Sequence, residues 1–172
     1  MIEQLSIAQG FGFISLVLGI LTFYQKDDRK LKIMMLLLQL NHVIHYMLLG
    51  SLISAFSALL SALRTATAIY ISSKIVAMAF IVVGLISGIV LADSLWDLLP
   101  VIGMMIGTYA IFVLKGIQLR IGLLASASFW LINNIVVGSI GGTLLELTNL
   151  AVNGATVFRL LREQRELVES KV

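Results

Sequence analysis

FWLINNIVVGSIGGTLLELTNLAVNGATVFRLLR, residues 129–162, is apolar enough to lie in lipid, yet it carries Trp130, Asn133, Asn134, Glu146, Asn149 and Asn153. An ionised side chain at the centre of a bilayer costs about 2.5–3.5 kcal/mol on insertion scales. Such groups are therefore turned toward other helices or a polar cavity. Spans of this kind need only cross about 30 Å of hydrocarbon at roughly 1.5 Å per residue. The stretch reads as the last part of an all-α membrane protein, and its polar residues are where function is expected.

The rest of the composition agrees. Of 172 residues, 59% are hydrophobic and 12% charged, against roughly 45–50% and 25% in a soluble domain. Mean hydropathy is +1.04. The N-terminal MIEQLSIAQG has no basic residue, which argues against a signal peptide with its basic n-region. With no cysteine, disulfides, thiol nucleophiles and Cys-ligated metals are excluded. The chain reads as one transmembrane domain over 1–172.

Apolar segments follow one another at 7–24, 31–49, 52–72, 75–92, 98–114, 119–137 and 142–160, which predicts seven transmembrane helices. The connections sort by charge. Lys26, Arg29, Lys30 and Lys32 lie at the first, Lys74 at the third, Lys115 and Arg120 at the fifth, and Arg159, Arg162, Arg165 and Lys171 at the C-terminal end. The second and sixth connections are uncharged, and the fourth has only Asp93 and Asp97. Eleven of the 12 basic residues thus fall on one side, Arg64 being the exception. The positive-inside rule puts that side in the cytoplasm, with the N-terminus outside and the C-terminus inside.

Sliding the chain by 88 residues lays 14–70 on 102–158 without a gap and matches nine positions, Gly19/Gly107, Leu31/Leu119, Ile44/Ile132, Gly50/Gly138 and Ser51/Ser139 among them. The expected plan is two parallel three-helix repeats (3+1+3). Repeat one covers about 7–72, the linker helix 75–92, repeat two about 98–162, and a cytoplasmic tail 163–172. Parallel repeats are related by an axis along the membrane normal, with a solute site between them near the midplane.

The runs AQGFGFISLVLGILTFYQKDDRK (8–30), LLPVIGMMIGTYAIFVLKGIQLR (98–120) and GSIGGTLLE (138–146) resemble the YgjV-like bacterial inner-membrane protein family, loops included. The resemblance implies a multi-pass protein of the bacterial inner membrane. More distantly, the 3+1+3 plan is similar to the SWEET/PQ-loop (MtN3-like) transporters. These place an aromatic residue on the sixth span and an Asn on the seventh at a central cavity. Trp130 and Asn149 stand at those places, and their repeat mates are His42 and Ser61. The Pro-Gln pair is absent, because Pro100 is followed by Val101, and the first repeat has Gly12 where Pro100 would fall. Sugar specificity therefore does not carry over.

On the seventh span Gly142, Glu146, Asn149 and Asn153 are spaced 4, 3 and 4, one helical stripe. It is either the polar wall of a solute pathway or helix-to-helix glue, where an amide bond contributes on the order of 0.6 kcal/mol. Glu146 points to the pathway, since packing needs no carboxylate. The third span offers a matching face of Ser54, Ser57, Ser61, Arg64 and Thr65. Arg64 either snorkels to the interface or turns inward to pair with Glu146, about 9 Å away in depth at 1.5 Å per residue. In repeat register Glu146 faces Ala58 and Arg64 faces Val152, so each half holds one charge. His42 and His45 share a face of the second span, open to helix packing, solute binding or proton relay. Trp130, Asn133 and Asn134 follow i, i+3, i+4 spacing on the sixth. Trp96, beside Asp93 and Asp97, reads as an interface anchor. Gly103 and Gly107 form a GxxxG for close helix approach; Gly138, Gly141 and Gly142 read as a tight turn.

No hydrolase, kinase, dinucleotide or Walker pattern is present, and GSIGG lies between membrane spans rather than between strand and helix. The reading is a non-enzymatic inner-membrane transporter of an unidentified polar solute, without cofactor, metal or nucleic acid, embedded in the lipid bilayer; a homo-oligomer is left open. Trp130, Asn149, Asn153, His42, Ser61 and Asn133 would bind solute. Glu146 and Arg64 would form a charge pair or gate. The alternative is a membrane interaction or assembly protein without transport activity. A third reading, an intramembrane enzyme using Glu146 with His42 or His45, has the least support.

Overall fold

The structure, a computed structural model of the chain, describes residues 2–23, 25 and 27–169, with side chains for all of these except 2–5, 28, 163, 164 and 167–169. Lys26 and Lys171, two of the basic residues that set the expected orientation, lie outside the described residues.

Seven α-helices follow in order: α1 Ile2–Phe23, α2 Asp28–Leu48, α3 Leu52–Tyr70, α4 Lys74–Leu91, α5 Leu98–Val113, α6 Gly116–Val136 and α7 Ile140–Glu169, with a 3₁₀ turn at Leu95–Asp97. No strand occurs among the described residues. Six helices are long and apolar enough to cross a membrane. The exception is α7, the longest at 30 residues. Its stripe of Glu146, Asn149 and Asn153 lowers its hydropathy and is buried, as polar groups in an apolar medium must be.

Consecutive helices pack side by side, and α1, α2, α3, α5, α6 and α7 close a ring in which α7 returns to α1. α4 stands outside the ring against α5, through the small residues Ala77, Gly84, Ser87 and Gly88. Its outer face, with Ile75, Val82, Ile86 and Ile89, is exposed, as suits a lipid-facing helix.

Two turns at one end of the ring are built alike. α2 ends with Leu49 N donating to His45 O (3.0 Å), Gly50 N to Met47 O (3.1 Å) and Ser51 N to Tyr46 O (3.0 Å). α6 ends with Val137 N donating to Asn133 O (2.9 Å), Gly138 N to Ile135 O (3.2 Å) and Ser139 N to Asn134 O (2.8 Å). Gly50 and Gly138 take φ +79° and +71°, the left-handed cap that glycine adopts without steric cost. This is the turn end of the molecule. At the opposite, basic end Lys32 Nζ donates to Ala68 O (2.9 Å) and Ser72 Oγ to Phe112 O (3.2 Å).

One expectation about glycine needs correction. Gly138 makes the turn, but Gly141 and Gly142 are already inside α7. Gly141 lies against the backbone of Gly12, and a Cβ there would overlap the Gly12 carbonyl. The backbone-to-backbone approach therefore falls between α1 and α7. The GxxxG of α5 faces α6 and α3 as expected: a Cβ on Gly103 would stand 2.9 Å from the Trp130 indole and 3.3 Å from Phe129 Cβ, and one on Gly107 2.9 Å from the Arg64 guanidinium and 3.0 Å from Ser126 Oγ.

Candidate functional site

Inside the ring lies a cavity of about 70 Å³. Gln39 and His42 of α2 are three residues apart and so share a helical face. Ala58, Ser61 and Arg64 repeat the spacing on α3. Ser126, Ala127 and Trp130 come from α6 and Glu146 and Asn149 from α7, while Phe23, Met35 and Leu38 line the cavity toward the basic end. The volume leaves room for a few waters and is far below the roughly 300–1,000 Å³ of pockets for drug-sized ligands.

The turn-end side is closed by a polar and aromatic plug. Tyr46, fully buried, stacks on Trp130 with centroids 5.7 Å apart and touches His42 at 5.4 Å. Its hydroxyl donates to Asn134 Oδ1 at 2.7 Å, and Ser54 Oγ donates to Asn133 Oδ1 at 3.0 Å. His45 Nδ1 lies 2.7 Å from Ala8 O and its Nε2 2.6 Å from Ser139 Oγ. A carbonyl only accepts, so Nδ1 donates, and a neutral ring then accepts the Ser139 hydroxyl at Nε2. Ser139 Oγ also accepts from Gly142 N at 3.0 Å. The α7 helix is thereby pinned to α1 and α2.

On the other side a hydrogen-bonded ladder runs down α7. Arg120 Nη1 donates to Asn153 Oδ1 (3.1 Å), Asn153 Nδ2 to Asn149 Oδ1, and Asn149 Nδ2 to Glu146 Oε2 (3.2 Å). Every link donates toward the carboxylate. Arg64, only 2% exposed, donates from Nη1 to Gly107 O at 3.2 Å. It forms no salt bridge with Glu146, although both line the cavity; among the described residues the salt bridge is Arg162–Glu166, out on the α7 surface.

Buried polar atoms in proteins are overwhelmingly paired. Among the described residues seven side-chain atoms are not: Gln39 Oε1, His42 Nε2, Ser61 Oγ, Arg64 Nε, Thr65 Oγ1, Asn133 Nδ2 and Asn134 Nδ2. The first four belong to residues that line the cavity.

Of the residues singled out from sequence, His42, Ser61, Trp130, Asn149, Glu146 and Arg64 line this cavity together. Asn133 and Asn153 do not: Asn133 belongs to the plug, and Asn153 links Asn149 to Arg120. Arg120, first read as a topology marker at the rim, reaches inward. Gln39 and Tyr46 were missed. Their spacing around His42, three before and four after, marks them as the same face.

The geometry can be set beside known proteins. Residues 6–164 match the Imp-YgjV family, described as bacterial inner membrane protein. The chain belongs to this YgjV family. Inner membrane protein YgjV of Escherichia coli (strain K12) is 37% identical over 165 residues, covering 95% of this chain and 89% of that protein. No solved structure matches. The resemblance carried by 8–30, 98–120 and 138–146 therefore led to the right family, and the chain is an integral multi-pass protein of the bacterial inner membrane.

Proposed function

We propose that this YgjV-family protein moves a small polar solute across the inner membrane through the cavity bounded by His42, Ser61, Arg64, Trp130, Glu146 and Asn149. The observation that carries the reading is a cavity whose lining includes four residues that each keep one unpartnered buried polar atom. Glue between helices would leave its polar groups paired to each other, as the plug largely does. In this reading the protein is not an enzyme, and its partners are the lipid bilayer and the solute.

The working architecture is seven spans in two parallel three-helix units, joined by α4 as the linker. The matched caps at Gly50 and Gly138 support it. So does the order of the ring: exchanging α1, α2 and α3 for α5, α6 and α7 maps its set of neighbour pairs onto itself, α3–α5 becoming α7–α1. Tyr46 and Asn134, mates in that register, bond to each other, as groups beside a two-fold axis would. With the basic end cytoplasmic and the N-terminus outside, the plug closes the outer half and the cavity lies toward the cytoplasm. The kinship to SWEET/PQ-loop transporters belongs to this proposal and rests on the 3+1+3 plan.

The second reading, a membrane assembly protein, draws on the plug, whose inter-helix bonds are those of a packing device. Uptake of a panel of small solutes into liposomes holding the purified protein separates the two. A saturable flux that Glu146→Gln and Asn149→Ala abolish, with the fold retained, supports transport through this cavity. A flux those variants leave unchanged assigns the site elsewhere, and no flux for any solute favours assembly.

A further inference from the structure

Arg64 and Glu146, a base and an acid, line the same cavity, and no salt bridge joins them. A guanidinium has five N–H donors and an ionised carboxylate about four acceptor sites. Arg64 uses Nη1 on one backbone carbonyl and leaves Nε without a partner. Glu146 accepts from Asn149 Nδ2, and the ladder from Arg120 through Asn153 holds that amide in place. A charge left uncompensated in a low-dielectric interior is strongly destabilising. A zwitterion offers a partner to both groups in their ionised forms, whereas an anion offers one to Arg64 alone and a cation one to Glu146 alone.

We propose that the cavity is a receptor for a small zwitterion, an ion of the size of the smallest amino acids, with its carboxylate on Arg64 and its ammonium group on Glu146. The assignment rests on the solute-cavity reading above and names its substrate class. Such a guest satisfies both ends of the site at once. It also carries no net charge, so the transmembrane potential does no net work on it as it crosses. The cavity of about 70 Å³ sets the size. Gln39, His42 and Ser61 are further polar residues that line the same cavity. The face of Trp130, one wall of the cavity, adds a surface that attracts an ammonium group.

The test uses Trp130 as reporter. The chain has two tryptophans, and Trp96 is exposed at the turn end, so Trp96→Phe leaves Trp130 alone in the purified full-length protein. Fluorescence is titrated with L-alanine, acetate, ethylammonium and glycerol. The expected result is a saturable change with L-alanine, and binding of each other probe weaker by about tenfold or more. Glu146→Gln, nearly isosteric, should invert the order so that acetate outcompetes L-alanine; Arg64→Gln should do so for ethylammonium. Glycerol binding as well as or better than L-alanine would overturn the zwitterion assignment and leave the solute cavity standing. So would an unchanged order in Glu146→Gln, which keeps the test decisive if Arg64→Gln fails to fold. No response to any probe, together with no liposome uptake, would overturn both.

Discussion

The plug and the cavity are made of the same kinds of residue on the same helices, and they differ in whether those residues have partners. At the turn end Tyr46, Ser54, His45, Asn133 and Asn134 bond across helices, with only the two amide nitrogens of the asparagines left over. Toward the basic end Gln39, His42, Ser61 and Arg64, all of which line the cavity, each keep one buried atom without a partner. In lipid a cross-helix hydrogen bond contributes little, on the order of 0.6 kcal/mol, whereas an orphaned buried group costs about 1–3 kcal/mol. Pairing is thus what a chain under selection for stability alone would show throughout. The departures gather on residues of one connected wall, as the proposed binding role would require.

The sharpest way to break the contrast is at the seam that frames the plug. Gly141→Ala places a Cβ into the Gly12 backbone, which no rotamer change relieves; overpacking of this kind costs about 1–3 kcal/mol or more. Loss of the monodisperse folded protein on size-exclusion chromatography is expected. Next in size, Tyr46→Phe strands Asn134 Oδ1 in the interior and should lower stability by about 1–3 kcal/mol, read as a fall in thermal midpoint with transport retained. Ser61→Ala should do the reverse. It removes an orphaned hydroxyl, so the midpoint stays or rises by up to about 1 kcal/mol, while solute affinity falls. If Tyr46→Phe and Ser61→Ala shift the midpoint alike, plug and cavity are not different in kind. The smallest effect is expected at Gly154, in α7 with open space around it: Gly154→Ala should be silent or stabilise by up to about 1 kcal/mol through helix propensity.

Much of this was legible before any coordinates. Apolar runs and their short connections put the helices within a few residues of where they lie, because a membrane span must satisfy its own backbone. Helical periodicity found the α7 stripe and the serine face of α3, both buried. What periodicity cannot supply is the rotation and crossing of one helix against another. For that reason periodicity places Asn133 with the site although it faces Ser54 in the plug. The separation of Arg64 from Glu146 failed to be legible on the same ground, since depth along the normal says nothing about lateral distance. Gln39 was missed because a single glutamine in an apolar helix stands out less than the histidines beside it.

The central claim of the proposed transport is that the wall of His42, Ser61, Trp130 and Asn149 opens to water in the course of transport while the plug stays closed. The native chain has no cysteine, so single replacements report directly. Ser61→Cys and Asn149→Cys should react with a small, membrane-impermeant charged thiol reagent applied from the cytoplasmic side of inside-out vesicles. Ser54→Cys, in the plug, should stay unreacted under the same conditions. Reaction at 54 equal to that at 61 and 149, or no reaction at either of the latter two in folded protein, would contradict the account.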